Sequence, residues 1–299
     1  MDAARGQLKL FVGDFAYPEE SAAPAEPHAG LRAAAARPAL PDPAVLANRE
    51  LIRPVGYRRA VPGLVPFCGA WFEELEQKRY QRHGVWLPAA LEFGRHPGES
   101  LLLLGPGMGS DAIRYVRTGT PVTVGVTAND YPDLVRENLA RHAIAARVTD
   151  VSGPKLPFPD GTFDVVTWNA LYDPAPPDPA RVEEVFRVLK SNGKIIGLFP
   201  ARYDAGYWQD LFLPLQWVYW RRPADPTDGP KTTARQLRRV FSAFTRQRAS
   251  KRHLRRAELP HLWRVLPLVF LERLIGRVLV FKALKPLSAR TGATVPLAA

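Results

Sequence analysis

A short apolar run that breaks into three alternating glycines is the feature that most constrains how this chain folds. Leucine occupies positions 101–104, and glycine follows at 105, 107 and 109. Four consecutive leucines bounded by turn residues predict a strand buried on both faces of a parallel sheet. The glycines allow a tight turn and a close approach of the backbone to another group. We therefore expect a strand–loop–helix unit, with the helix at about 111–117.

The same alternation continues along the middle of the chain. Short connections between strand-like and helix-like segments predict an α/β fold, with a mostly parallel sheet and helices on both faces. A left-handed turn at Gly193 is expected before the fifth strand. The expected strands are 101–104, 122–126, 145–149, 163–168, 194–199, 245–250 and 277–284, and the expected helices include 111–118, 132–142, 179–189 and 260–275.

Composition divides the chain into three parts. Residues 1–66 are rich in alanine, proline and arginine, so we expect them to be disordered or loosely packed. Residues 67–286 carry the periodic patterns of a folded domain, in which 200–276 form an aromatic-rich insertion and the C-terminal elements. Residues 287–299 read as a tail.

Cysteine usage and hydropathy predict a cytoplasmic protein. The single cysteine, Cys68, excludes an internal disulfide framework and fits a reducing compartment. No apolar run reaches the ~18 residues of a membrane span, and no signal peptide is evident.

Positive charge is concentrated near the C-terminus. The net charge is +12, and nine lysines and arginines but no acidic residue lie between Arg235 and Arg256. Such a block could meet phosphates, an acidic partner or an anionic membrane through residues 235–275, or it could simply be a solvated surface. Nucleic-acid binding is disfavoured because no interleaved aromatics or known module accompany the block. The oligomeric state is left open.

Three further segments carry a family resemblance. They are Leu-Pro-Phe-Pro-Asp-Gly-Thr-Phe-Asp-Val-Val at 156–166, Glu-Val-Phe-Arg-Val-Leu-Lys-Ser-Asn-Gly at 184–193, and Phe-Lys-Ala-Leu-Lys-Pro at 281–286. With the glycine loop, they resemble the class I S-adenosylmethionine-dependent methyltransferases of the small-molecule, type 11-like branch. The resemblance implies a Rossmann-like seven-stranded sheet whose last strand is antiparallel. It also implies S-adenosyl-L-methionine as cofactor and a small, apolar or aromatic acceptor.

The resemblance assigns cofactor contacts to residues of this chain. The three glycines would pack against the methionine part and the ribose, and Asn169 would line the methionine part. Tyr80, next to Arg79, would cover the carboxylate of the cofactor, or else pack in the core. Asp150 would accept a hydrogen bond from the adenine amino group, and the amide of Val151 would bind the adjacent ring nitrogen. The full set of expected cofactor residues is Gly105, Gly107, Gly109, Thr127, Asn129, Asp150, Val151, Asn169 and Tyr80.

Two positions depart from the family pattern. Leu103 and Thr127 stand where the family usually has acidic residues, the second of which binds both ribose hydroxyls. Charge-assisted hydrogen bonds are roughly twice as strong as neutral ones, so their loss would weaken binding. We expect Thr127 or Asn129 to bind the ribose, with Asp130 as a substitute.

Methyl transfer requires no covalent nucleophile, so catalytic residues leave only a weak signal in the sequence. Tyr172 and Asp173 are the candidate bases, and the histidines show no metal-ligand spacing.

A catalytically inactive binding or assembly subunit is the alternative function, favoured by Leu103 and Thr127. An RNA or protein methyltransferase is indicated only by the basic block. The sequence Asn-Ala-Leu-Tyr at 169–172 replaces the Pro-Pro-aromatic signature of amino-group methylation.

Overall fold

The computed structural model describes residues 42–51, 63–127, 129–172, 176–212, 230–256, 259 and 261–287. The strands are β1 (Leu101–Leu104), β2 (Val122–Val126), β3 (Arg147–Asp150), β4 (Phe163–Asn169), β5 (Leu189–Pro200), β6 (Thr245–Arg252) and β7 (Val278–Leu284). The helices are α1 (Pro43–Glu50), α2 (Gly69–Gln77), α3 (Leu87–Leu91), α4 (Ser110–Arg117), α5 (Pro132–Arg141), α6 (Pro179–Val188), α7 (Ala205–Phe212), α8 (Ala234–Val240) and α9 (Leu268–Ile275). A π-helical turn, Lys78–His83, continues α2, and a 3-10 turn, His261–Val265, precedes α9.

The seven strands form one sheet in the order β3-β2-β1-β4-β5-β7-β6. Strands β1 to β5 pair in parallel, and β7 is antiparallel to both β5 and β6. The predicted α/β fold with an antiparallel last strand is confirmed. Because β7 runs backwards, its first residue, Val278, pairs with Pro200 and Arg252 at the ends of β5 and β6. The ends of β1 to β6 and the start of β7 therefore share one border of the sheet, the carboxyl edge.

The leucine run of β1 divides between two cores, one on each face of the sheet. Leu102 and Leu104 pack with Phe199 and Phe281 on one face. Leu101 and Leu103 point the other way, where Leu103 is 1% exposed. The position that carries an acid in the family is therefore part of an apolar core in this chain.

The N-terminal expectation is wrong for residues 43–51. Pro43 starts α1, and the carboxylate of Asp42 accepts a hydrogen bond from the amide of Ala44 at 2.9 Å, an arrangement that favours helix initiation. Leu46 and Leu51 are buried against α2, the glycine loop and α5. Apolar contacts on one side of α1 thus stabilise a helix in a segment whose composition predicted disorder or loose packing. The remaining expectations for residues 1–66 fall mostly outside the described residues.

Two local predictions also need correction. Asn192, with φ +63°, adopts the left-handed conformation that was expected at Gly193. The helix expected at 260–275 is divided at Pro267 into the 3-10 turn and α9, since proline lacks the amide hydrogen that a continuous helix needs. In the part of the chain that the structure describes, no helix has the length and hydropathy to cross a bilayer.

Candidate functional site

The glycine loop joins the end of β1 to α4 at the carboxyl edge. Gly105, Gly107 and Gly109 all have positive φ, of +67°, +57° and +87°. A Cβ atom on Gly105 would lie 2.1 Å from the carbonyl oxygen of Asn169. A Cβ on Gly107 would lie 2.6 Å from the Glu50 carboxylate and equally close to the ring of Tyr172. Backbone conformation and space both require glycine at these two positions.

A buried polar group of side chains lies beside this loop. Its centre is Arg79, which is fully buried and bound to the carboxylate of Asp111. Nη2 of Arg79 donates to both Asp111 oxygens, at 3.0 and 2.8 Å, and Nε donates to Oδ1 at 3.2 Å. This two-point geometry is the strongest form of an arginine–carboxylate pair. We call the group the Arg79 cluster; it comprises Glu50, Arg79, Tyr80, Asp111, Asn169 and Tyr172.

Local backbone geometry brings two consecutive residues to the same acid. The π-helical turn is marked by the hydrogen bond from the amide of Gly84 to the carbonyl of Arg79, at 2.7 Å. The wider turn lets Tyr80 as well as Arg79 face Asp111 in the first turn of α4. The Tyr80 hydroxyl donates to Asp111 at 2.6 Å, and the Asn169 amide donates to it at 3.4 Å.

Glu50 enters the cluster from the last turn of α1. Its side chain is 1% exposed, and Oε2 accepts a hydrogen bond from the amide of Met108 at 3.4 Å. The guanidinium of Arg79 donates to the backbone carbonyl of Glu50 at 2.5 Å, while Oε1 of Glu50 lies 3.9 Å from Arg79 Nε. Burial raises the pKa of Glu50 above its usual 4.5, although Arg79 opposes this shift.

Two buried oxygen atoms of the cluster meet no hydrogen-bond partner of acceptable geometry among the described residues. They are Oε1 of Glu50 and the hydroxyl of Tyr172. Burial raises the pKa of Tyr172 well above its ordinary value of 10.0. At neutral pH Tyr172 is therefore a hydrogen-bond donor and not a base. The other candidate base, Asp173, lies outside the described residues.

At the end of β2, the neighbouring turn supplies a carboxylate. Oδ2 of Asp130 accepts hydrogen bonds from the amide of Thr127 at 2.6 Å and from its hydroxyl at 2.9 Å. Asn129 lies in the same turn, next to Asp130. Thr127, which we expected to bind the ribose, thus bonds directly to the carboxylate of Asp130.

At the end of β3, Asp150 lies exposed beside its own turn. Its Oδ1 accepts hydrogen bonds from the amide and the hydroxyl of Ser152, at 2.9 and 2.6 Å, which lower the pKa of Asp150. The amide of Val151 donates to the carbonyl of Val126 at 2.8 Å. The expectation that this amide binds the adenine ring is contradicted, because the β2–β3 ladder extends one residue further and uses it.

The sequence interpretation missed Glu50 and treated Asp111 as an ordinary first-turn acid. The pair Asp42-Pro43 followed by apolar residues is a recognisable helix start and could have revealed α1. The ion pair of Asp111 with Arg79 had no local signal, since the two residues are 32 positions apart. Within the described residues, no group of three or more histidine, cysteine, aspartate or glutamate side chains could hold a metal ion.

Comparison with known proteins finds a match for the middle of the chain. Residues 102–197 match the family described as "Methyltransferase domain". Cycloartenol-C-24-methyltransferase of Arabidopsis thaliana is 29% identical over 127 residues, which are 42% of this chain and 37% of the relative. The ubiquinone/menaquinone biosynthesis C-methyltransferase UbiE of Vibrio parahaemolyticus is 28% identical over 123 residues, covering 39% of this chain and 47% of the relative.

The chain spans less than half the length of these curated relatives. Among solved structures, the YcgJ protein of Bacillus subtilis aligns with a TM-score of 0.47 and 14% identity, over 68% of this chain and 99% of YcgJ. The family match begins in β1, includes the glycine loop and ends in β5. Residues 102–197 therefore match a methyltransferase domain, in agreement with the resemblance to the class I S-adenosylmethionine-dependent methyltransferases.

Proposed function

We propose that this protein transfers a methyl group from S-adenosyl-L-methionine to a small, lipophilic acceptor. The observation that carries the proposal is the row of polar groups along the carboxyl edge, centred on the left-handed glycine loop. Ligands of open α/β sheets bind at this edge, where the strand order reverses next to β1. The left-handed glycine loop and the buried oxygens of Glu50 and Tyr172, which meet no hydrogen-bond partner of acceptable geometry among the described residues, fit a ligand that brings its own hydrogen-bonding groups.

Different residues along the carboxyl edge can bind the different parts of this cofactor. The glycine loop and Asn169 would hold the methionine part, Asp150 the adenine, and the turn of Thr127, Asn129 and Asp130 the ribose. Tyr80 would act through Asp111, which it fixes by its hydrogen bond. The bound cofactor supplies an electrophilic methyl group and a good leaving group, so the protein has to align the acceptor and exclude water.

Asp130 compensates in this proposal for the missing acid at the end of β2. Its carboxylate is bound to both the amide and the hydroxyl of Thr127, which fixes it at the strand end. A carboxylate is the natural partner of the two ribose hydroxyls, because it accepts two charge-assisted hydrogen bonds.

The test is calorimetric binding of S-adenosylmethionine and S-adenosylhomocysteine to the wild type and to the D130N variant. Asparagine can keep the hydrogen bonds to Thr127 but loses the charge, so we expect affinity to fall roughly 10-fold to 100-fold. Asp133→Asn, at an exposed position on α5, serves as the control and should bind as the wild type does. Absence of cofactor binding in the wild type would favour the alternative, an inactive binding or assembly subunit.

A lipophilic acceptor is supported by the surface next to the site. The names of two relatives refer to cycloartenol and to ubiquinone and menaquinone. In this chain α7 and α9 stand at the same carboxyl edge as the glycine loop, since they follow β5 and precede β7. Tyr203 and Tyr207 expose aromatic rings there. The aromatic side chains at 212–220, in the aromatic-rich insertion, lie outside the part of the chain whose side chains the structure describes.

We infer that an anionic membrane presents this acceptor, through one exposed face of α9 and the turn before it. This outer face carries five large apolar side chains: Val265, Leu266, Val269, Phe270 and Leu274, which are 84, 42, 62, 59 and 53% exposed. Leu271 and Ile275 fill the inner face of the same helix. A surface helix that is apolar on both faces needs a partner outside the protein.

Charge favours anionic lipid as that partner. Arg273 projects from α9 beside the exposed apolar residues, and Arg256 donates a hydrogen bond to the carbonyl of Arg264 in the preceding turn. Lys251 of β6 donates to the carbonyl of Leu274 at 2.8 Å, which ties the basic strand to α9. Basic residues around an apolar face are the composition of helices that lie on anionic membranes.

Vesicle flotation tests this surface. We expect the wild type to float with phosphatidylglycerol vesicles but not with phosphatidylcholine vesicles, and to dissociate at about 0.5 M salt, where the Debye length is shorter than ~5 Å. The F270S/L274S variant should lose flotation. Val85→Ser, also a substitution of an exposed apolar residue, should keep it. Equal flotation of both variants, or none of the wild type at low salt, would contradict the inference.

A further inference from the structure

The carboxylate of Glu50 is a buried acid that lacks a full complement of partners. Arg79 is the cation of the cluster, and its Nε and Nη2 groups are bound to Asp111. Its remaining bond goes to the backbone carbonyl of Glu50 and not to the side chain. The described cluster therefore holds two carboxylates, on Glu50 and Asp111, against one guanidinium. An excess buried carboxylate is costly unless a cation or several donors join it.

The position of Glu50 indicates that such a cation would lie at the glycine loop. Oε2 is bound to the amide of Met108, inside the glycine loop, and a Cβ on Gly107 would collide with it. Oε1 of the same carboxylate and the hydroxyl of Tyr172, whose ring borders Gly107, have no hydrogen-bond partner of acceptable geometry among the described residues, although Tyr172 and Ser110 lie close enough to lower the pKa of Glu50. A cationic group with N–H donors, held at the loop, would satisfy the carboxylate.

We propose that Glu50 receives the α-ammonium group of the cofactor's methionine part. This inference rests on the proposed function and deepens it: an acid from α1, outside the matched residues 102–197, supplies the negative charge that Leu103 cannot. The helix α1 then has a functional reason to pack on the loop through Leu46 and Leu51. Cofactor binding and the folding of α1 become linked, because the ligand stabilises the packed form.

The first test compares three ligands on the E50Q variant by calorimetry. S-adenosylmethionine and S-adenosylhomocysteine both carry the ammonium group, so we expect E50Q to weaken both by about 10-fold to 100-fold, the range for one charge-assisted hydrogen bond. Methylthioadenosine lacks the amino-acid part, and its affinity should not change. The control E73Q makes the same substitution at an exposed position of α2 and should leave all three affinities as they are.

Each outcome separates this inference from the proposed function. If the wild type binds none of the three ligands, the proposed function fails. If the wild type binds S-adenosylhomocysteine and E50Q binds it equally well, the role of Glu50 is overturned. A loss confined to S-adenosylmethionine also overturns it, since that would place Glu50 at the sulfonium. If E50Q does not fold, the wild type decides: its affinity for S-adenosylhomocysteine should fall at low pH while its affinity for methylthioadenosine does not, and parallel pH profiles for the two ligands overturn the inference.

A second readout does not depend on catalysis. The groups that face Glu50 are Arg79 and Tyr80 of the π-helical turn, Asp111 and Ser110 of α4, and Tyr172. Because the pKa of Glu50 is raised, the free protein holds a proton there over a wider pH range, and the ammonium group competes with that proton. Wild-type affinity for S-adenosylhomocysteine should therefore fall as the pH drops through this pKa, and E50Q should lack this part of the dependence. An identical pH profile in both proteins would count against the proposal.

Discussion

Replacement of Arg79 by methionine is expected to lower the free energy of unfolding by about 3–5 kcal/mol, the usual cost of removing one partner from a buried ion pair. Arg79 is fully buried, and Asp111 is 1% exposed. Methionine fills much of the same space but leaves the carboxylates of Asp111 and Glu50 without a cation. Urea unfolding at pH 7, followed by tryptophan fluorescence, measures the loss.

The matched control is Arg82→Met, in the same π-helical turn. The Arg82 side chain is 64% exposed and lies 4.0 Å from Glu74, so its removal should cost no more than ~1 kcal/mol. The double variant R79M/D111N should regain part of the loss, since it removes one of the two stranded carboxylates. If R79M and R82M cost the same, the Arg79 cluster does not stabilise the domain as argued.

Local patterns were sufficient to predict the sheet. The continuous apolar run of β1 and the alternating valines of β2 predicted the observed bounds, 101–104 and 122–126. The helix predicted at 260–275 failed at Pro267, where a local rule about proline should have taken precedence over apolar content.

The polar site was predictable only where its residues belong to a sequence motif or lie close to each other in the sequence. The glycine loop and the Thr127–Asp130 turn involve residues within a few positions of each other. The bond between Glu50 and the amide of Met108 joins residues 58 positions apart. Single charged residues carry no periodicity, so nothing in the sequence indicates which distant group an acid will meet after folding. The misassigned amide of Val151 has a similar origin, because strand pairing, not sequence, determines where a ladder ends.

Glu92 provides the longest-range case, and its removal is the other substitution with a large expected effect. Its carboxylate is buried at the end of α3 and bonds to Lys194 of β5, to Lys282 of β7 at 2.7 Å, and to His96 at 3.1 Å. These lysines are 102 and 190 positions away in the chain. Glu92→Gln would leave two lysines close together without their shared anion. We expect a loss of about 3 kcal/mol at pH 6, measured by urea unfolding.

The pH dependence of this loss has a definite sign. Against the desolvation of its burial, hydrogen bonds from His96, Lys194 and Lys282 hold the pKa of Glu92 well below its usual 4.5. Its stabilising contribution is therefore complete above pH 4.5 and disappears as the pH falls toward the lowered pKa. The hydrogen bond to Glu92 raises the pKa of His96 above 6.5, and burial opposes this shift. The contribution of His96 is complete below pH 6.5 and is lost as the pH rises through the raised value.

The difference in unfolding free energy between wild type and E92Q should therefore be largest between about pH 4.5 and 6.5 and should shrink on both sides of that window. Glu137→Gln is the control, because its exposed pair with Arg141 within α5 is worth no more than ~0.5 kcal/mol. A constant difference from pH 3 to pH 8 would mean that Glu92 stabilises the domain by packing alone. A difference that shrinks on both sides of the predicted window would identify it as the charge that joins α3 to β5 and β7, away from the carboxyl edge and independent of any ligand.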